Sequence, residues 1–128
     1  FKVIMLVYVL LALACGCSLV AEAKMQKITA TGITVCNKRR FDNALVELWE
    51  SDTFDPDDLL ATTYANEYGE FSISGQQDEF SSISPYIRIS HECNLPEGKE
   101  NCTRVIDLEV PKDEIKNGVY NLTCVTLD

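Results

Sequence analysis

The chain has 128 residues, and its 11 Lys and Arg against 20 Asp and Glu give a formal net charge of −9 at pH 7. This length predicts one domain around a single hydrophobic core. The acidic balance argues against nucleic acid and anionic membranes as partners, because their phosphates carry charge of the same sign. Solubility in extracellular fluid is the simplest interpretation of the charge.

The N-terminal segment is apolar and uncharged over residues 3–20, directly after Lys2. Its length approaches the roughly 20 residues of a membrane helix, so a retained anchor is the alternative interpretation. Small residues over 14–18 and the motif Ala21-Glu22-Ala23 favour a signal peptide, residues 1–23, with cleavage after Ala23. We therefore expect a secreted, extracellular domain over residues 24–128 with no membrane span after cleavage.

The expected domain shows short runs of period-two alternation separated by turn residues, and no long segment has a helical period. In one run Ala44, Val46 and Leu48 should face the core, which places Trp49 on the opposite face. The pattern predicts an all-β, immunoglobulin-like antiparallel sandwich of about seven strands. The expected strands cover residues 28–36, 44–50, 59–64, the segment after Gly69, 86–91, 103–110 and 119–127.

The connections between these strands also have predicted structures. Asn66-Glu67-Tyr68-Gly69 is expected to form a tight turn with glycine at positive φ. Residues 75–85 are expected to form a polar connection in which Phe80 and Ile83 close one end of the core. Residues 111–117 should form one helical turn that ends at Gly118.

Four cysteines follow the expected signal peptide: Cys36, Cys93, Cys102 and Cys124. An even count behind a signal peptide indicates two disulfides in an oxidising compartment. Three pairings are possible, and the cysteine spacing does not select one. Zinc is the alternative, but the segment has no Cys-x-x-Cys and His91 is the one histidine, so we expect no metal site.

Two clusters of chemically active residues are candidate sites. The acidic loop, residues 52–58, carries Asp52, Asp55, Asp57 and Asp58, which calcium could use as ligands, but it lacks the glycine and spacing of an EF-hand. A solvated loop is the preferred interpretation. His91 precedes Glu92 and Cys93, but neighbours on a strand face opposite ways and an oxidised cysteine is no nucleophile. We expect His91 at the rim of the core, hydrogen-bonded to backbone, and no catalysis.

Two sequons match the acceptor pattern for N-linked glycosylation, Asn101-Cys102-Thr103 and Asn121-Leu122-Thr123. Asn101 falls in an expected loop and is the better candidate. Asn121 falls inside an expected strand, so it must face outward to be modified.

Several ordered motifs together resemble the transthyretin-like family of nematodes, over nearly the whole expected domain. The resemblance implies a secreted sandwich related to transthyretin. The motifs are Thr31-Gly32-Ile33-Thr34-Val35-Cys36, Val46-Glu47-Leu48-Trp49-Glu50, Asp52 through Leu60, Asn66-Glu67-Tyr68-Gly69-Glu70-Phe71, Ile83 through Ile89, His91-Glu92-Cys93-Asn94, Cys102-Thr103-Arg104 and Ile115-Lys116-Asn117-Gly118.

The disulfide pairing that we predict is Cys93 with Cys102 and Cys36 with Cys124. The first pair would close a short excursion between neighbouring strands. The second follows by elimination, and the first and last strands would be neighbours in a transthyretin-like sandwich. The family usually has its last cysteine in a tail beyond the final strand, whereas Cys124 falls within that strand.

The resemblance also suggests an enzyme, because hydroxyisourate hydrolases share the wider fold. Those enzymes use histidines, an arginine and a Tyr-Arg-Gly-Ser ending, whereas this sequence has one histidine and ends in Thr126-Leu127-Asp128. We therefore expect a non-enzymatic binding protein without a cofactor, which docks on an extracellular protein or cell-surface receptor through Trp49 and the acidic loop. A carrier of a small lipophilic ligand is the alternative, and a hydrolase is third.

Overall fold

The structure is a computed structural model that describes residues 25–78 and 84–128. The expected signal peptide and its cleavage site lie outside the described residues. A 3-10 turn, Lys112–Glu114, precedes the last strand, and no described helix has the length and apolarity needed to cross a membrane. The strands are β1 (Met25–Cys36), β2 (Arg39–Arg40), β3 (Leu45–Ser51), β4 (Asp58–Tyr64), β5 (Glu70–Asp78), β6 (Ser84–His91), β7 (Arg104–Glu109) and β8 (Val119–Thr126).

These strands form two sheets that pack as a sandwich, which confirms the predicted fold class. In the first sheet β1 pairs with β5, with the two-residue β2 and with β8. In the second sheet the order is β4-β3-β6-β7. Within the described part of the chain the pairings of named strands are antiparallel except one, because β8 runs parallel to β1.

The core lies between the sheets and is built from the inward residues of alternating strands. On β3, Val46 and Leu48 are fully buried, and Ala44 just before the strand is 1% exposed, so their predicted orientation is confirmed. Burying one large aliphatic side chain stabilises the fold by about 1.5–3 kcal/mol. The remaining buried aliphatic and aromatic residues are Ile28, Ala30, Ala65, Phe71, Ile73, Ile87, Ile89, Val110, Val125 and Leu127.

One predicted connection is wrong, because β5 continues through Gly75 to Asp78. Gly75 adds no side chain to the apolar alternation, which is why the strand is hard to recognise there. A Cβ at this position would lie 2.9 Å from Leu48 Cδ2, so the glycine permits close packing of the two sheets. Phe80 and Ile83 lie outside the described residues.

The predicted turn before β5 is confirmed. Gly69 has a φ of 75°, and its N–H donates to the Asn66 carbonyl. A Cβ on Gly69 would approach the Thr34 carbonyl oxygen to 2.6 Å. Both the backbone angle and the crowding therefore require glycine at this corner between the sheets.

The disulfide connects Cys36 with Cys93, so both predicted pairings are wrong. The Cα atoms of this pair are 5.9 Å apart, and Cys102 and Cys124 are exposed free thiols. Strand parity explains the error for Cys36, which packs against the core, whereas Cys124 lies opposite Ile33 on the outer face of the first sheet. Cys93 is likewise buried, while Cys102 lies in the exposed connection before β7.

Candidate functional site

The candidate site is the outer face of the second sheet, where β3 exposes every second residue. Glu47 and Trp49 are partly exposed. The residues that alternate with them along the strand are buried, namely Val46, Leu48 and Glu50. Successive side chains on a strand point to opposite faces, so this alternation follows from the backbone geometry. Trp49 therefore lies on the outward face, as its position relative to Val46 and Leu48 predicts.

An aromatic row crosses this face at the end nearest the acidic loop. Trp49 lies opposite Leu59 on β4 and opposite Tyr86 on β6, and Tyr86 lies opposite Glu109 on β7. We call Leu59, Trp49 and Tyr86 the aromatic row, after the two aromatic members; Leu59 is its aliphatic member. A shift in the β3–β4 register directly after Leu48 brings Leu59 into line with Trp49.

A charged row lies directly beside the aromatic row. It consists of Glu47, Arg88 and Asp107, which are opposite one another on β3, β6 and β7. The Arg88 guanidinium donates two hydrogen bonds to Asp107, from Nε to Oδ1 at 2.8 Å and from Nη2 to Oδ2 at 3.1 Å. These bonds hold the pKa of Asp107 below its usual value. Bidentate pairing fixes the plane of the guanidinium.

Arg88 also connects the two rows, because its guanidinium lies over aromatic rings. Its Cζ is 5.3 Å from the Trp49 ring centroid and 5.7 Å from that of Tyr86. The two rings are nearly parallel, with 7° between their planes and 6.4 Å between their centroids. Cation–π contacts of this kind contribute about 0.5–2 kcal/mol each. The cluster therefore holds Trp49 and Tyr86 in defined orientations.

A hydrogen bond from Tyr86 attaches the acidic loop to the aromatic row. The Tyr86 hydroxyl donates to Asp57 Oδ2 at 2.7 Å. Burial, together with this bond and the charge of Asp57, raises the pKa of Tyr86 to about 12. The loop also folds on itself, because Asp52 Oδ1 accepts from the Phe54 N–H, and the Asp52 N–H donates to Asp57 Oδ1. Asp55 and Asp58 are exposed.

Glu50 lies beneath the loop and faces the interior. Glu50 is 3% exposed, and its Oε2 has no hydrogen-bond partner among the described residues. Burial first, and then the nearby charges of Asp58 and Asp52, raise the pKa of Glu50. Across residues 25–78 and 84–128, no group of three or more His, Cys, Asp or Glu side chains is arranged to hold a metal ion.

A groove of about 550 Å³ borders the two rows on the side of β7. It is open, and its walls carry charged groups of both signs beside apolar surface. Side chains of the aromatic row, the charged row and the acidic loop therefore meet at one continuous surface. The groove is lined by Ser51, Asp57, Tyr86, Arg88, Asp107 and Lys112, among others.

His91 lies in the core, apart from this face. Its Nδ1 accepts a hydrogen bond from the Cys93 N–H at 3.1 Å, which confirms the predicted backbone contact. Its Nε2 is buried without a partner in the described part of the chain, and its ring meets the Phe41 ring edge-on. Burial first, and then the charge of Arg104, lower the pKa of His91. Since Cys93 is in the disulfide, it offers this imidazole no thiolate.

The two sequon asparagines are exposed in different settings. Asn101 lies in the connection between β6 and β7, and Asn121 lies in β8 on the outer face of the first sheet. Neither asparagine belongs to the candidate site.

The residues of the two rows that the sequence did not reveal as site residues are Glu47, Leu59, Tyr86, Arg88 and Asp107. Alternation on β6 already places Tyr86 and Arg88 on one face of their strand. Their contact with Trp49 depends on the register between β3 and β6, which the sequence of one strand does not encode. A cross-strand pairing of aromatic residues is the signal that could have suggested it.

Comparison with known proteins gives a consistent family match. Residues 31–111 match the model of the transthyretin-like family. Transthyretin-like protein 16 of Caenorhabditis elegans is 47% identical over 116 residues, which cover 91% of this chain and 86% of that protein. Transthyretin-like protein 5 of the same organism is 35% identical over 94 residues, 73% of this chain and 66% of that protein.

A solved structure with a similar fold is part of a much larger protein. The crystal structure of a 9R-lipoxygenase from Cyanothece PCC8801 superimposes with a TM-score of 0.51 and 18% identity. The match covers 80% of this chain but 16% of the lipoxygenase chain. At this identity the likeness concerns the fold alone.

Proposed function

The chain belongs to the transthyretin-like family, and on that premise we propose that it is a secreted, non-enzymatic binding protein that docks on an extracellular protein or cell-surface receptor. The docking surface is the aromatic row together with the acidic loop, and the partner surface is basic and partly apolar. The observation that carries the proposal is the alignment of Leu59, Trp49 and Tyr86 beside a cluster of carboxylates on one exposed sheet face.

Exposed apolar area supports a docking role for this face. Leu59 is 48% exposed, and Phe54 in the acidic loop is 95% exposed. At the opposite end of the same face Tyr64 and Val105 are also more than half exposed. Large apolar side chains grouped on one face of a small domain are typical of interaction sites, whereas single ones are ordinary.

The charge of the face supports a basic partner. Asp57 in the acidic loop and Glu109 on β7 border the aromatic row, whereas Asp58 lies opposite Glu50 at the start of β4. The Asp107 carboxylate is already paired with Arg88. The whole chain carries a formal charge of −9, so long-range attraction also favours a basic surface. Complementary charge raises the association rate and excludes acidic competitors.

The rigidity of the cluster supports tight docking. Arg88 holds the Trp49 and Tyr86 rings from one side, and Asp57 holds the Tyr86 hydroxyl. Side chains that are ordered before binding lose less conformational entropy on association. Aromatic residues and Arg are also the residue types that contribute most to interface affinity.

Several features support export and a role without catalysis. The Ala21-Glu22-Ala23 pattern and the Cys36–Cys93 disulfide suit a secreted protein in an oxidising compartment. His91, the one histidine, is buried and hydrogen-bonded beside an oxidised cysteine. The described part of the chain therefore offers no imidazole beside a free nucleophile.

The test uses the secreted domain as bait in extracellular fluid, with quantitative mass spectrometry of the captured proteins. Trp49→Ala should reduce the affinity of the captured partner about 30-fold, which corresponds to ~2 kcal/mol for an aromatic anchor. The Asp57→Lys/Asp58→Lys double variant should also weaken binding. Circular dichroism and urea unfolding confirm that each variant remains folded.

Matched controls come from the same chain. Tyr68 is an exposed aromatic residue at the turn before β5, so Tyr68→Ala should leave affinity unchanged. Glu67→Lys/Glu97→Lys makes the same charge change at exposed positions away from the face. His91→Asn should also bind normally. Equal losses in controls and face variants would refute the docking surface, and recovery of a lipophilic small molecule in place of a protein would favour the carrier alternative.

A further inference from the structure

The last strand contains an irregularity at the second sequon. β8 runs parallel to β1, with Asn121 opposite Thr31 and Cys124 opposite Ile33. Three steps along β8 therefore match two steps along β1, so one residue of β8 is extra. Thr123 accommodates the extra residue in a β-bulge, with a positive φ of 59°. This bulge lies within the motif Asn121-Leu122-Thr123.

The bulge orients the Asn121 side chain. Its Oδ1 accepts a hydrogen bond from the Thr123 N–H at 3.0 Å and a longer one from Thr31 Oγ1 at 3.4 Å. Within the described residues its Nδ2 has no hydrogen-bond partner. The amide nitrogen is the atom that a glycan modifies, so the contacts that hold the side chain leave its reactive atom available.

The surroundings of Asn121 have room for a large substituent. Thr31 on β1 lies opposite Asn121, and Ser72 on β5 lies opposite Thr31, so the neighbours of Asn121 in this row are small. Thr29 and Ser74 form the next row of the sheet. A shallow open depression of about 620 Å³ lies beside Asn121. A glycan attached here would extend over small hydroxyl side chains without displacing a packed group.

We propose that Asn121 carries an N-linked oligosaccharide that covers the outer face of the first sheet. The donor class is an oligosaccharide joined through a diphosphate to a polyprenol lipid. The Asn121 Nδ2 forms a bond to the anomeric carbon of the first sugar and loses one proton. The bond from that carbon to the phosphate oxygen breaks, and the polyprenyl diphosphate leaves. No atom changes its oxidation state, because nitrogen replaces oxygen on the anomeric carbon and the leaving diphosphate can take up the released proton.

This assignment extends the proposed function and depends on its secretion step. The glycan would occupy the face opposite the aromatic row, so it would leave the docking surface open. It would also shield β8, which among the described strands pairs with β1 alone and so presents an edge to which another chain could add. The two outer faces would then have separate roles, one for docking and one for protection.

The test expresses the full chain in insect cells and compares the secreted product before and after treatment with peptide N-glycosidase. The enzyme converts a glycosylated asparagine to aspartate, so the Asn121 peptide should gain the mass of deamidation in the treated wild-type protein. Asn121→Gln and Thr123→Ala should each remove one oligosaccharide from the intact mass. Thr123→Ser should retain it, because serine also completes the sequon.

Asn101→Gln is the matched control and should leave the Asn121 glycan in place. Recovery of Asn121 peptides from secreted wild-type protein chiefly in the unmodified form would overturn this inference while leaving the docking proposal intact. Intracellular retention of an unglycosylated chain would overturn both. Loss of the Asn121 glycan in the Asn101→Gln variant would also count against a site defined by the β8 bulge.

Discussion

At the residue scale, His91 shows how the fold sets the protonation of a single side chain. Its Nδ1 accepts the Cys93 N–H, so the neutral ring carries its proton on Nε2. A second proton on Nδ1 would break this hydrogen bond and place a charge in the core. Burial, and then the charge of Arg104, therefore lower the pKa of His91 below its ordinary value of 6.5.

This lowered pKa makes stability depend on pH in a definite direction. The unfolded chain binds a proton at His91 more readily than the folded chain, so unfolding becomes easier as pH falls below about 6.5. The loss continues until the pH passes the lower pKa of the folded state. We expect the free energy of unfolding, measured by urea titration, to fall more between pH 7.5 and 5.5 in the wild type than in His91→Asn.

The asparagine variant keeps an acceptor for the Cys93 N–H and shares the carboxylates of the wild type. Any pH dependence that comes from Asp and Glu is therefore common to both proteins. Identical slopes of unfolding free energy against pH would show that His91 titrates alike in the folded and unfolded states.

At the element scale, the disulfide connects the two sheets at one end of the sandwich. Cys36 ends β1 in the first sheet, and Cys93 follows β6 in the second sheet. The bridge closes a loop with a sequence separation of 57, which includes β2 to β6. On the loop-entropy model such a bridge stabilises the fold by about 4 kcal/mol.

We expect the Cys36→Ala/Cys93→Ala variant to lose about 3–4 kcal/mol of unfolding free energy, because the unfolded chain regains the entropy of the open loop. Urea titration without reductant measures the change. Cys102→Ser/Cys124→Ser removes two exposed free thiols and serves as the matched control, with an expected change within about 0.5 kcal/mol. A larger loss in the control would mean that these two cysteines also carry a stabilising bond.

At the scale of the whole molecule, the two outer faces of the sandwich differ in chemistry. The outer face of the first sheet carries the partly exposed Thr31 together with the exposed Ser72 and Asn121. The second sheet exposes the aromatic row and the charged row, with the acidic loop at one end. The molecule is therefore polarised, with two outer faces of different chemistry.

The basic partner proposed for the second face has a measurable consequence. The Debye length shortens from about 10 Å at 0.1 M salt to about 3 Å at 1 M, so salt screens the approach of a basic partner. We expect the association rate with that partner, measured by surface plasmon resonance, to fall as salt rises. The dissociation rate should change much less, because Trp49 and Leu59 provide apolar contacts.

Asp57→Lys/Asp58→Lys should flatten the dependence of the association rate on salt, whereas Glu67→Lys/Glu97→Lys should flatten it less. Both double variants change the net charge equally, so the difference isolates the local contribution of the acidic loop. An association rate that is independent of salt in the wild type would contradict a basic partner surface.

Local patterns in the sequence predict much of this structure. Alternation places Val46 and Leu48 inside and Trp49 outside, and Asn66-Glu67-Tyr68-Gly69 marks the turn that the structure contains. These features depend on backbone geometry within a few residues, which the order of side chains encodes directly. The sequence does not predict the extension of β5 through Gly75, because glycine contributes nothing to an apolar pattern.

The sequence by itself determined the seven longer strands apart from the end of β5, their inward and outward faces, and the acidic and aromatic character of the surface. The tertiary structure alone decided which of these residues meet. It paired Cys36 with Cys93, aligned Trp49 with Tyr86 and Arg88, and set Cys124 on the outer face. Each of these contacts joins strands that are distant in sequence, and a shift of one residue in register would turn every side chain of a strand to the other face. Packing of the whole core selects that register, so no single segment of the chain contains it.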